Sequence, residues 1–170
     1  MQDLFFQSEM KSPIGVLKLY ASETHLLRVS MEQEKLTAAA KKLQKTPHKR
    51  IELLRFAEKE LNLYFRKKLD HFTVPIALAG TPFQQSVWKQ LQKISFGELR
   101  NYQAHAKSIR KESAVRAVST AIGTNPISII VPCHRVIGKN GSLTGFAGGL
   151  EAKQWLLEHE GHQIRNEMLL

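Results

Sequence analysis

The chain has 170 residues, 42% of them hydrophobic, and carries 25 Lys and Arg against 15 Asp and Glu, a formal net charge of +10. That length holds one ordinary domain or two small ones with a real core, and the positive charge favours an anionic partner, most simply nucleic acid. No run of about 18 uncharged apolar residues is present, and the N-terminus "MQDLFFQSEMKSP" lacks the basic-then-apolar order of a secretory leader, so a cytoplasmic protein with no membrane partner is expected. The single cysteine rules out an internal disulfide and a zinc site built on cysteine pairs.

In chain order, "GVLKLYAS" and "THLLRVSM" are short apolar runs bounded by turn residues and predict a β-hairpin. The runs "AAAKKLQK" and "HKRIELLRFAEKELNLYFRKKL" follow, and the second places Ile51, Leu54, Phe56, Leu61 and Phe65 near helical spacing, an amphipathic helix whose apolar side packs a core. "DHFTVPIALAGTP" breaks the periodicity at Pro75, Gly80 and Pro82, which puts the domain boundary at residue 80. "TPFQQSVWKQLQKI" then predicts a helix with Thr81 as N-cap and Pro82 at the first helical position. "YQAHAKSI" reads as a short helix, and "ESAVRAVSTAIG" as a second one ending at a Gly123 C-cap. With the basic turn Arg110-Lys111 between them, the pair has the outline of a helix-turn-helix.

The second helix of that pair carries Ala114, Ala117, Ser119, Thr120 and Ala121 around one long cation, Arg116. Such a surface fits either tight packing in a core or close approach to the minor groove of DNA. The region Arg100–Lys139 concentrates seven basic residues against Glu112 alone. Inside it lies "ISIIVPCHRVIG", where an apolar, β-branched run predicts a buried strand ending at Cys133. A buried free cysteine is most often only a small hydrophobe. Here His134 and Arg135 follow it directly, Pro132 fixes the backbone before it, and five glycines within Gly138–Gly149 supply a loop able to form a pocket from backbone groups. Nearby positive charge favours the thiolate, so a nucleophile becomes credible. In an extended segment adjacent side chains point apart, so His134 would reach the sulfur through water or a local bend. An orienting carboxylate is available on the final predicted helix at Glu158 or Glu160, and spacing does not choose between them.

The segments "GTPFQQSVW", "VRAV", "NP", "VPCHRVIG", "LTGFAGGL" and "WLLEHEG" occur in the order and spacing of the O6-alkylguanine-DNA alkyltransferases. The chain resembles that family closely over Thr81–Gly161, and over residues 1–80 in length and element order. The resemblance implies an α+β protein of two small domains: an N-terminal ribonuclease-H-like α/β domain, residues 1–80, and a C-terminal helical domain with a winged helix-turn-helix, residues 81–170. It implies that Cys133 accepts the alkyl group from O6 of guanine in double-stranded DNA, once and without regeneration, with no cofactor or metal and as a monomer. By the same likeness His134 is the water-mediated base, Glu160 its orienting carboxylate and Tyr102 the proton donor to the departing guanine. Arg116 fills the stack vacated by the flipped base, beside Ala117, Ser119 and Thr120 on the DNA face. Asn125 ties the recognition helix to the active-site strand and belongs to the substrate pocket. Backbone groups of Cys133, Val136 and Ala147 hold the guanine, and Phe146 forms the pocket wall. Three positions depart from the family's usual residues: Ser119 for glycine, Asn101 for serine or threonine, and Phe146 for tyrosine.

The chemistry fits those roles. Displacement at an sp³ carbon needs a strong nucleophile and an assisted leaving group, and O6 lies inside the base stack until the nucleotide is extruded. Three rival readings fare worse. A non-reactive lesion binder needs no cysteine, a combined repair protein and transcription activator needs a cysteine-rich zinc module, and a Cys–His–Glu hydrolase leaves the basic helix-turn-helix without a purpose.

Overall fold

Three short strands build the N-terminal sheet: β1 (Phe6–Ser12), β2 (Gly15–Ala21) and β3 (Leu26–Met31), antiparallel in the order β1-β2-β3. The computed structural model describes residues 5–34, 41 and 51–170, so most of "AAAKKLQK" and the start of the following run lie outside the described residues. The expected hairpin is β2–β3; β1 is an addition that pattern alone did not mark, because Gln7 and Ser8 interrupt its apolar residues. Both are nonetheless buried, and Ser8 donates to the buried carboxylate of Glu58 at 2.7 Å. A hydrogen-bonded partner makes that burial affordable for polar side chains.

Helix α1 (Glu52–Phe65) buries Leu54, Ala57, Glu58, Leu61 and Tyr64, the three-and-four spacing of one helical face. Phe56 was expected on that face and is instead exposed, while Phe65 is half-buried. The reason is rotation: at about 100° per residue, Phe56 lies nearly opposite Leu54. After α1 the chain turns back, with Glu60 accepting from the amides of Thr73 and Val74 at 3.0 and 2.9 Å, and residues near Ile76 pair alongside Leu26.

The contacts group the chain into Met1–Leu78 and Ala79–Leu170. In the second unit α2 (Pro82–Leu91) starts as the sequence predicts. The Gln84 amide donates to Thr81 Oγ1 at 3.2 Å and the Thr81 amide to Gln84 Oε1 at 3.0 Å, a reciprocal capping box with Pro82 inside it. Strand β4 (Arg100–Asn101) leads straight into α3 (Tyr102–Ser108), whose first turn is capped by Asn101 accepting from Ala104 N at 2.8 Å. A short 3₁₀ turn precedes α4 (Val115–Gly123), and Trp88 Nε1 donates to the Ala121 carbonyl at 2.8 Å, fixing α2 against the end of α4. Gly123 is the last residue of α4 rather than its cap. The cap position is Thr124, with φ −101° and a hydroxyl that donates to Ala121 O at 3.0 Å, so no left-handed glycine is needed.

The stretch "ISIIVPC" is buried but is not a strand. Ile127, Ile129 and Val131 are fully enclosed, yet the backbone runs through turns, with Ile129 at φ 75° and Val131 N donating to Ile127 O. An apolar run reports burial, and its conformation is set by where the backbone polar groups find partners. Here Asn125 supplies them: its Nδ2 donates to Val131 O at 2.7 Å and its Oδ1 accepts from Ile127 N at 3.0 Å. Cys133–Arg135 then form a 3₁₀ turn before β5 (Val136–Ile137), which pairs in parallel with β4, Arg100 opposite Val136. Helix α5 (Leu150–His159) begins after Gly149, whose φ of 87° is the left-handed region that glycine occupies without strain. A closing hairpin, β6 (Ile164–Arg165) and β7 (Met168–Leu169), bonds to the glycine-rich loop through Leu143 N to Glu167 O and Leu169 N to Gly141 O.

Candidate active site

The pairing of β4 with β5 is what assembles the site. It sets Tyr102, the residue after β4, beside the turn Cys133–Arg135, the residues before β5. The Cys133 side of this junction is buried, the thiol residue being 6% exposed and His134 completely enclosed. Asn125 Nδ2 donates to Cys133 Sγ at 3.1 Å. A donor on the sulfur stabilises its anion, so Asn125 touches the thiol itself besides bracing the segment before it. The sequence reading gave Asn125 the bracing task and a place in the substrate pocket, but no bond to the sulfur.

His134 and Glu160 meet at 2.9 Å, Nε2 to Oε1, and Glu158 does not take part in that contact. Glu160 also accepts from Arg135 Nε and Nη2, both at 2.9 Å, and from Gly97 N at 3.1 Å. Burial works against the charge on Glu160, but the hydrogen bonds and positive charge of His134 and Arg135 outweigh it and hold the carboxyl well below its usual range. Burial is also the largest influence on His134 and lowers its pKa, only partly opposed by Glu160. An ionised carboxylate can only accept, so the Nε2 facing it carries the hydrogen. In the neutral ring that leaves Nδ1 as a base, and Nδ1 is buried with no hydrogen-bond partner among the described residues. Cys133 and His134 share a 3₁₀ turn, the local bend that the sequence reading allowed, and not the extended chain that the apolar run suggested.

Arg135 is more than the nearby cation that the sequence offered. Besides its two bonds to Glu160 it donates to Ile94 O at 2.5 Å and lies 5.9 Å from the centroid of the Phe96 ring. It locks the carboxylate that locks the histidine.

Two residues of this site carried no signal in the sequence. Lys153 is completely buried on α5 and donates from Nζ to Val136 O at 2.6 Å and to Thr144 O at 2.8 Å. Desolvation pushes its pKa down to about 8, with Cys133 pulling the other way. Thr144 exchanges hydrogen bonds with Tyr102: the phenol donates to Thr144 O at 3.1 Å and Thr144 Oγ1 donates to the phenol oxygen at 3.3 Å. Burial raises the Tyr102 pKa, partly offset by that Thr144 bond. The spacing from Thr144 to Lys153 is one loop plus one helical turn, a distance over which an amphipathic pattern marks Lys153 as a surface residue, and only the two carbonyls explain its burial. Phe146 and Ala147 are half-buried in the same glycine-rich loop.

On α4, Arg116, Ala117 and Thr120 are exposed and Ser119 is half-buried, while Val118, Ala121 and Ile122 face inward. The small residues thus divide by face: Ala121 packs in the core, and Ala117 and Thr120 stand on the surface around Arg116. Among the described residues no cluster of three or more His, Cys, Asp or Glu side chains could hold a metal, and no helix is long and apolar enough to cross a membrane.

The profile of the ribonuclease-like domain of 6-O-methylguanine DNA methyltransferase matches residues 6–78, and that of its DNA-binding domain matches residues 82–162. A methylated-DNA–protein-cysteine methyltransferase of Methanosarcina barkeri is 43% identical over 159 residues, 92% of this chain and 97% of its own. One from Shigella flexneri is 50% identical over 106 residues, 62% of each chain. The crystal structure of the Mycobacterium tuberculosis O6-methylguanine methyltransferase superposes with a TM-score of 0.83 at 41% identity, covering 92% of this chain and 93% of that one. With both domain profiles matched along almost its whole length, the chain belongs to the 6-O-methylguanine DNA methyltransferase family.

Proposed function

We propose that this protein repairs O6-alkylguanine in double-stranded DNA by a single transfer of the alkyl group to Cys133. One observation carries the reading: the lone cysteine's sulfur accepts a hydrogen bond from Asn125, next to a buried histidine whose far nitrogen is held by Glu160. A M. tuberculosis relative with a TM-score of 0.81 and 42% identity has been solved in complex with DNA, which supports the same class of partner here.

The thiol gives its proton to His134 through water, and Glu160 with Arg135 keeps the ring in the tautomer that accepts it. The thiolate attacks the alkyl carbon, the C–O6 bond breaks, and its electron pair passes into the guanine ring, which takes a proton from the Tyr102 hydroxyl. The product, an S-alkylcysteine, has no route back, so each molecule acts once. Backbone groups of Val136 and Ala147 line the pocket with Phe146 on its wall. Arg116 enters the duplex from the exposed face of α4 as the lesion leaves, with Ala117, Ser119 and Thr120 allowing close approach. Residues 1–80 and 81–170 are taken as the two domains, the matched profiles on either side of that point supporting the division. The protein acts as a monomer in the cytoplasm and needs no cofactor.

The test mixes the purified protein with a duplex oligonucleotide containing one O6-methylguanine and weighs the proteolytic peptide that contains Cys133. Gain of one methyl group by that peptide, with loss of it from the DNA, is the expected result. An unmodified peptide beside DNA that stays methylated would overturn the reading.

A further inference from the structure

The phenol of Tyr102 stands between two groups of one residue. It donates to the backbone carbonyl of Thr144 and accepts from the Thr144 hydroxyl. The carbonyl has a second donor, Lys153 Nζ at 2.8 Å. When a guanine nitrogen takes over the phenol's proton, Tyr102 must let go of that carbonyl. Lys153 continues to satisfy it, so the exchange strands no buried acceptor.

The hydroxyl contact behaves differently. It points at the phenol oxygen, the atom on which negative charge builds as Tyr102 gives up its proton. At 3.3 Å it is long in the resting protein, and hydrogen bonds to a charged oxygen shorten and strengthen. We infer that Thr144 is a positioning residue for alkyl transfer, its hydroxyl aiming the Tyr102 phenol and stabilising the phenolate that forms as guanine departs. The inference rests on the reading of Tyr102 as proton donor. The balance is complete: the S–C bond forms, the C–O6 bond breaks, the guanine takes the phenol proton, the thiol proton resides on His134, and the phenolate regains a proton from solvent after the base leaves.

Thr144 is exposed, so replacing it with valine, equal in shape but without a donor, leaves no cavity and keeps the backbone carbonyl in place. Of the three tyrosines, Tyr20 and Tyr64 are buried to 1% and 0% exposure, so an ultraviolet titration of accessible phenol reports Tyr102. Thr144→Val is expected to raise the midpoint of that titration and to slow single-turnover methyl transfer about 3- to 10-fold, the scale of one ordinary hydrogen bond, because the phenol oxygen carries only part of a charge in the transition state and Thr144 is exposed to water. Thr144→Ser, which keeps the donor, restores both. In a Tyr102→Phe background, adding Thr144→Val costs nothing further. A Thr144→Val protein with wild-type rate and wild-type phenol titration would overturn the inference, and so would an equal slowing in the Tyr102→Phe background. Failure of the repair reading looks different: the wild-type protein itself would take no methyl group, whatever the phenol titration of the variants.

Discussion

Replacing Glu160 with glutamine should separate what this carboxylate does for stability from what it does for chemistry. Its oxygens accept from His134, Arg135 and Gly97, and both Glu160 and Arg135 are buried, to 6% and 5% exposure. The glutamine presents an NH₂ where an acceptor stood and leaves the Arg135 cation enclosed without its counter-charge. Breaking a buried pair from one side costs about 3–5 kcal/mol, a large share of the roughly 5–15 kcal/mol that holds an ordinary domain together. Both tryptophans, Trp88 and Trp155, lie in this unit, so urea unfolding followed by their fluorescence reads the loss directly. The sign with pH follows from the depressed carboxyl. Its contribution is complete above the unfolded value of about 4.3 and fades as pH falls below it, so the gap between wild type and Glu160→Gln narrows in acid. Adding Arg135→Met removes the stranded cation and should recover most of the stability, because an uncharged pair of similar bulk can fill the site. Methyl transfer should stay slow in the double variant, since nothing then fixes the His134 tautomer. A double variant as unstable as the single one, or one that transfers at the wild-type rate, would refute this account.

Three further outcomes follow from the same geometry. Asn125→Leu orphans the buried Ile127 amide at about 1–3 kcal/mol, leaves the Val131 carbonyl with the Cys133 amide as its donor, and removes a donor from the sulfur, so urea stability falls and the pH midpoint for alkylation of Cys133 by iodoacetamide moves up. Lys153 has its pKa depressed to about 8, so its unfavourable burial as a cation is relieved as pH rises from about 8 towards its unfolded value near 10.4. Wild type should gain up to about 3 kcal/mol on Lys153→Met over that window, and a pH-independent difference in their urea midpoints would contradict the assignment. Arg116→Ala, on an exposed helix face, should leave stability within about 0.5 kcal/mol while slowing repair of duplex DNA more than attack on the free modified base, because only the duplex requires flipping. Equal slowing on both substrates, measured by methyl transfer, would remove Arg116 from the extrusion step.

How much of this was legible in the chain depends on how local each cause is. The start of α2 was readable because its cap, its proline and its reciprocal glutamine sit within four residues, from Thr81 to Gln84. The strand expected at "ISIIVPC" failed because hydrophobicity specifies burial, whereas the turn conformation depends on Asn125, outside the run, donating to one end and accepting at the other. Strand β1 was hidden for a related reason: Gln7 and Ser8 look like solvent residues until Glu58, 50 positions after Ser8, supplies the partner that lets Ser8 be buried. The motif around Cys133 put a cysteine and a histidine side by side in the sequence, but the choice of Glu160 over Glu158 as the partner of that histidine is a matter of helix geometry at the end of α5, where Glu160 caps the helix and turns inward to Arg135. Lys153 and Thr144 gave no signal for the opposite reason to an apolar core residue. A lysine on an otherwise amphipathic helix and a threonine in a glycine loop are ordinary surface choices, and their meaning appears only when two backbone carbonyls and one phenol are brought to them by the pairing of β4 with β5. Cys133 and His134 stand in neighbouring letters; the groups that hold them, Asn125, Glu160 and Arg135, and the phenol of Tyr102 are brought to them by partners far along the chain.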